Sequence, residues 1–189
     1  MAFEGYKTKK SVVIVYTGEG KGKTTAALGL MTRALGNRQK VAFIQFIKYW
    51  GVSEHIFIRD ISELYRDQLL FYKGGKGFYK AGDLSEKNIT EEQHKKAAEE
   101  TYEQAIKASQ SGDFDLVICD EINNAVHDKL LTLDQLEFLI KNKAKNTSLC
   151  LTGRNFPDNL IDLTDIATKM KKIKHHFDNK YLANKGIDY

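Results

Sequence analysis

TGEGKGKTTAALGL, residues 17–30, joins an apolar run to a helical pattern, and the fold turns on how it is read. Gly22-Lys23-Thr24 end a phosphate-binding loop of the form G-x-x-x-x-G-K-[ST], yet Thr17 stands where the first glycine belongs and Gly18 follows one place late. In such a loop, successive backbone N–H groups surround phosphate oxygens at the positive end of a helix. Gly18, Gly20 and Gly22 would let the backbone come close. Lys23 would reach the outer phosphates, and the Thr24 hydroxyl would ligate Mg²⁺. A surface glycine–lysine turn is the plain alternative. The strand before the loop and the helix after it favour nucleotide phosphate, because that chemistry needs both. Glu19 sits awkwardly here: a carboxylate beside a triphosphate repels it unless the side chain points outward or pairs with Lys21.

Outward from the loop, apolar runs read as strands at Ser11–Tyr16, Val41–Ile47, Asp115–Asp120 and Ser148–Thr152. Gln68–Tyr72 reads as a further strand, and Ile166–Ile173 as one more. A helix of about Thr24 to Leu35, stopped by Gly36, follows the loop. Thr90 to Ser109 forms a polar helix opened by the box T-E-E-Q, in which Thr90 caps and Gln93 answers. Continuous apolar strands alternating with helices predict a single doubly wound α/β domain over residues 1–189, its mostly parallel sheet covered on both faces. The stretch from Gly51 to Gly82, rich in Tyr, Lys and Gly, reads as a functional loop.

Composition narrows the class. At 189 residues and 42% hydrophobic, the chain can bury a full core, and one Pro with 29% charged residues indicates a globular protein. A net charge of +4 permits an anionic ligand without arguing for nucleic acid. Cys119 and Cys150 lie in apolar runs without metal-ligand spacing, so they read as reduced core thiols of a cytoplasmic protein. No apolar run approaches the roughly 20 residues needed to cross a bilayer, and MAFEGYKTKK lacks the apolar core of a secretory signal.

A nucleotide site needs a second half, a buried strand ending in a carboxylate. LVICDEINN, residues 116–124, supplies it: Asp120 and Glu121 would lie near the phosphate loop at the carboxyl end of a parallel strand. One carboxylate could hold Mg²⁺ directly or through water while its neighbour positions a water or serves the same ion. Favouring the start of the next helix is the alternative role for such acids. Arg154, just past Thr152-Gly153, stands where a phosphate-contacting side chain would be useful. Lys169, Lys171, Lys172 and Lys174 read as a solvated strand face, or more sharply as an anion-facing rim. His175 and His176 are adjacent, so an extended chain would point them to opposite sides.

Together TGEGKGKTTAALGL, VAFIQFIK, DLVICDEIN, LTGRN and the closing KHHFDNKYLANKGIDY resemble the P-loop ATP:corrinoid adenosyltransferases of the cobalamin pathway. The resemblance covers residues 11–50 and 113–189 well and residues 51–112 loosely. It implies a P-loop NTPase fold of RecA-like type and transfer of the 5′-deoxyadenosyl group of ATP to a cobalt(I) corrinoid, with triphosphate released. In this family the nucleotide is described as lying the opposite way round in its loop, which suits a displacement at the ribose 5′ carbon. Carried over by position, Gly18, Glu19, Gly20, Lys21, Gly22, Lys23, Thr24 and Thr25 would hold the triphosphate. Lys23 and Glu121 would be catalytic, with Thr24, Glu121 and Asp120 as the Mg²⁺ ligands, Thr24 and Glu121 foremost. Arg33 and Arg154 match family arginines. Gly77-Phe78 matches the start of a family G-F-T-W segment near the corrinoid, where aromatic side chains displace the lower axial ligand; Phe78 and Tyr79 would take that part, although Lys80 stands where the family has tryptophan. The resemblance further implies a homodimer and a reductant for cobalt, a flavoprotein being one candidate. About ten residues precede the first strand, so the N-terminal cover of the corrinoid site is expected to be reduced or supplied by a partner chain. A P-loop ATPase or small-molecule kinase, and an ATP-dependent corrinoid carrier, stay open as alternatives.

Overall fold

The computed structural model describes residues 3–48, 51–77 and 89–189. Six strands build one parallel sheet: β1 (Val13–Thr17), β2 (Val41–Gln45), β3 (Leu69–Lys73), β4 (Leu116–Asp120), β5 (Ser148–Thr152) and β6 (Ile166–Lys169). They lie side by side in the order β3-β2-β4-β5-β1-β6, with every neighbouring pair parallel. Five α-helices accompany them among the described residues: α1 (Lys23–Gly36), α2 (Ser53–Ile61), α3 (Glu91–Ser111), α4 (Ile122–His127) and α5 (Leu133–Asn142).

Alternate strand residues point to opposite faces, and both faces are covered. Val15, Ile44, Val117, Cys119 and Leu149 pack on one side with Ala98, Ala105 and Ala108 of α3 and Leu136, Leu139 and Ile140 of α5. Ile14, Phe43, Ile118 and Cys150 pack on the other with Ala27, Met31, Ala34 and Leu35 of α1 and Ile58 of α2. This two-sided burial is why β2 and β4 are buried at every position and why their sequences run apolar instead of alternating. The expected box opens α3, with Thr90 Oγ1 accepting from Gln93 N and Gln93 Oε1 accepting from Thr90 N. A second box, Thr132 with Gln135, opens α5.

Three expectations are corrected. Gly36 does not stop α1; it is the last helical residue, and the chain turns at Arg38, which takes φ 57° while Gln39 N donates to Ala34 O. The 51–82 stretch is more than a loop, since it contains α2 as well as the expected strand β3. The last strand ends at Lys169, where Met170 N donates to Thr17 O and the chain turns across the phosphate loop. Phe78 and Tyr79, the residues assigned to the corrinoid's axial face, lie outside the described residues.

Candidate active site

The strand order sets β5 between β4 and β1, so the loops leaving β1, β4 and β5 meet at the carboxyl edge of the sheet, where ligands of such sheets bind. Thr17 ends β1. Its side chain accepts from Phe156 N at 3.1 Å, so the residue in the first-glycine position ties the β5 loop to β1. The close approach falls one residue later: a Cβ on Gly18 would stand 2.4 Å from Met170 O, and one on Gly20 2.8 Å from the same oxygen. Gly20 N also donates to Met170 O at 2.7 Å. These two glycines therefore seat the loop against the chain that follows β6. Gly22, at φ 109°, turns the loop into α1.

Lys23 folds back over the loop, donating to Gly18 O and Gly20 O at 2.8 Å each. Burial and the nearby Arg154 guanidinium pull its pKa below the usual value, against the opposing pull of Glu121, Glu19 and Asp120. Thr24, one residue on, donates to Asp120 Oδ1 at 3.0 Å. That bond joins the phosphate loop to the acid-bearing strand.

Asp120 is fully buried, and neighbouring elements satisfy it. Thr152 Oγ1 of β5 donates to Oδ1 at 2.6 Å and Gln45 Nε2 of β2 to Oδ2 at 2.9 Å. Lys48 Nζ stands 4.0 Å from Oδ2 and 2.8 Å from Glu54 of α2. Burial opposes the Lys48 charge, but Asp120, Glu121 and Glu54 outweigh it and hold the ammonium pKa above its usual value. His55 Nε2 lies 2.6 Å from Gln45 Oε1, and burial with the neighbouring Lys73 lowers the imidazole pKa. The amide of Gln45 thus relays α2 to Asp120.

Glu121 takes φ 65°, a conformation rare outside glycine. Thr152 Oγ1 accepts its backbone N–H at 2.9 Å, and Asn124 Nδ2 donates to its carboxylate at 3.2 Å. A non-glycine residue held in this region belongs to the class of strained positions that cluster at functional sites. Burial, then the adjacent Asp120 charge, push its carboxyl up to about 7, with Lys48, Lys23 and Asn124 pulling the other way. Asn124 also accepts from Arg154 N at 2.6 Å. That approach depends on Gly153, at φ 130°, where a Cβ would lie 2.8 Å from Asn124 Oδ1.

The charged rim is paired. Glu19 meets Arg154, Nε to Oε2 at 3.4 Å, and Lys21 meets Asp188 at 2.9 Å, so Glu19's partner is Arg154 and not Lys21. Asp188 also faces His176 Nε2 at 3.5 Å. The chain's closing residues thereby reach the phosphate loop, and Ser53 Oγ at the start of α2 donates to Tyr189 O at 2.8 Å. His175 and His176 do not point to opposite sides: their rings lie 4.6 Å apart because His176 opens a 3₁₀ turn. Among the described residues, no group of three or more His, Cys, Asp or Glu side chains could hold a metal ion by itself. Arg33 stands apart, in the last turn of α1 beside a cavity lined by Val12, Asp115 and Ser148 at the opposite edge of the sheet. The structure thus brings together Lys23, Thr24, Asp120, Glu121 and Arg154, with Glu19 and Lys21 on the rim.

The model of the family ATP:corrinoid adenosyltransferase BtuR/CobO/CobP matches residues 9–189. The chain belongs to this family. It is 31% identical over 182 residues to a corrinoid adenosyltransferase of Sinorhizobium sp, covering 96% of this chain and 81% of that one. A corrinoid adenosyltransferase of Escherichia coli (strain K12) is 30% identical, with 96% and 87% covered, and one of Pseudomonas aeruginosa is 29% identical, with 97% and 86% covered. In three dimensions the chain resembles the flagellar accessory protein FlaH of Methanocaldococcus jannaschii, at a TM-score of 0.53 and 14% identity over 88% of this chain and 74% of that one. That likeness concerns the α/β fold alone. For this adenosyltransferase, sequence reasoning missed Gln45, Lys48, Thr152 and Asn124. The signal for the first two was present in VAFIQFIK, where a glutamine interrupts a buried run and a lysine ends it.

Proposed function

We propose that this adenosyltransferase binds ATP with its triphosphate in the 17–25 loop and moves the 5′-deoxyadenosyl group to the cobalt(I) of a corrinoid in adenosylcobalamin synthesis or salvage. The observation that carries the reading is the Thr24–Asp120 hydrogen bond, which couples a phosphate loop to the buried Asp120 and its half-buried neighbour Glu121 in a chain of this family. In the reaction, cobalt supplies an electron pair to C5′, the C5′–O5′ bond breaks, and triphosphate leaves with that bond's electrons. No proton moves. The protein's part is therefore to hold and neutralise a leaving group.

Lys23 is placed for this. Its two acceptors are loop carbonyls, so the ammonium can exchange them for phosphate oxygens without a large movement of the backbone. Arg154, fixed at its own backbone by Asn124, adds a second cation beside the loop. The residues fit Mg²⁺ of the kind held by one or two protein oxygens plus phosphate and water. Thr24 gives its proton to Asp120 and accepts only a long 3.4 Å bond from Lys48 Nζ, and Glu121, its carboxyl pushed up to about 7 by burial and Asp120, would gain from a divalent cation beside it. Thr24 and Glu121 would hold the ion, with Asp120 orienting Thr24; when bound, Mg²⁺ would offset charge growing on the departing triphosphate. Phe78 and Tyr79 are proposed to face the corrinoid, Arg33 to reach a ligand only if a partner chain brings one to it, and the active form to be a homodimer in the cytoplasm. A reductant, such as a flavoprotein, must deliver the electrons to cobalt.

The test is the phosphate product. Protein, ATP, Mg²⁺ and chemically reduced corrinoid should give inorganic triphosphate and a light-sensitive adenosylated corrinoid. ADP or orthophosphate as the only product would overturn the reading in favour of an ATPase or kinase, and unchanged ATP with tight corrinoid binding would mean a carrier.

A further inference from the structure

Glu19 has no part in the transfer just described, yet it sits inside the phosphate loop. Its carboxylate lies 3.4 Å from Arg154 Nε, and both side chains are more than half exposed, at 59% and 58%. Lys21, the cation nearest to Glu19 in sequence, is held by Asp188 instead. Arg154 is anchored through its backbone to Asn124, whose amide nitrogen donates to Glu121. The guanidinium is thus free to swing while its base stays tied to the acid pair. Glu19 and Arg154 both act on the charge of Lys23, with opposite sign, so the three groups share one electrostatic neighbourhood.

We propose that Glu19 is a release element that competes with the triphosphate for Arg154, so that the leaving group is held less tightly once transfer is over. This rests on the phosphate-site reading above. With the loop free, Glu19 takes the guanidinium. With triphosphate bound, Arg154 turns to phosphate oxygens, and Glu19 is left as an unpaired carboxylate beside a polyanion. Departure of triphosphate restores the Glu19–Arg154 pair. Because the pair is solvent-exposed, its formation costs and returns little, and its effect on affinity should be modest and salt-sensitive.

The test is a double-mutant cycle on the binding of inorganic triphosphate with Mg²⁺, measured by calorimetry at low and high salt on the wild type, Glu19→Gln, Arg154→Gln and the double variant, with Lys23→Ala as control. Glu19→Gln should bind triphosphate about two- to fivefold more tightly, in keeping with an exposed pair, and Arg154→Gln more weakly. In the Arg154→Gln background, the Glu19→Gln gain should fall by more than half, and raised salt should shrink it in either background. An equal gain in both backgrounds would show plain repulsion by Glu19 and overturn the competition; no gain in either would overturn it as well. Triphosphate binding that is equally weak in the wild type and in Lys23→Ala would instead remove the phosphate site itself, and the release element with it. Melting curves establish that each variant is folded.

Discussion

Three constraints meet at Glu121: a left-handed backbone, a neighbouring carboxylate, and a proton affinity pushed up to about 7 from the usual 4.5. A folded-state pKa above the unfolded value means that the folded chain binds the proton more tightly. Its stabilising contribution is full below about 4.5 and is lost as pH rises through about 7. Glu121→Gln cannot ionise, so without divalent cations it should melt above the wild type at pH 8 by the equivalent of about 1–3 kcal/mol and converge with it near pH 4.5. Adding Mg²⁺ at pH 8 should stabilise the wild type and narrow the gap. A wild type indifferent to Mg²⁺ would count against Glu121 as a ligand. Lys23→Ala should cut adenosylated corrinoid formation by about 10²-fold or more while leaving the melting curve nearly unchanged. That Lys23, Thr24, Asp120 and Glu121 would come together was legible in the sequence, because a phosphate loop and its acid partner follow strands at fixed spacings. Gln45 showed only as a polar residue breaking an apolar run and Thr152 only as a strand end; neither reveals that Asp120 is its partner. Glu19's partner was equally hidden, because Arg154 reaches it only through the parallel pairing of β1 with β5.

Among elements, the phosphate loop and the chain after β6 meet backbone to backbone. A Cβ at Gly18 would collide with Met170 O, and φ 102° there adds strain for any other residue. Gly18→Ala should destabilise by about 2 kcal/mol or more, seen in urea melts, and should weaken triphosphate binding beyond that loss by moving the loop amides. Gln45→Leu tests the relay from α2: removing a donor to a buried carboxylate should cost about 1–3 kcal/mol, and His55 would lose its partner at the same time. The strands were readable because burial on both faces enforces long apolar runs. Helix α2 was not, for a physical reason. Ile56, Phe57 and Ile58 run consecutively, with only Ile58 buried and Ile56 and Phe57 exposed, so the core-facing row of Ile58, Ile61 and Tyr65 is masked in the sequence. The T-x-x-Q box before α5 was a readable signal that went unused.

Across the whole molecule, the sheet order sets the site. With β5 between β1 and β4, Thr152 contacts both members of the acid pair, through its hydroxyl to Asp120 and from the Glu121 N–H. The two cysteines mark the same sheet from opposite sides. Cys119 belongs to the layer under α3 and α5, and Cys150 to the layer under α1, on the neighbouring strand but one register step away. Both are buried, and burial raises both thiol pKa values, so neither should react while the chain stays folded. The chain therefore carries two natural reporters, one per layer. Timed alkylation followed by peptide mass mapping should label both at one rate if the layers open together. If nucleotide in the 17–25 loop clamps α1 first, Cys150 should become the slower of the two, and ligand binding could be followed from inside the core without introducing any dye.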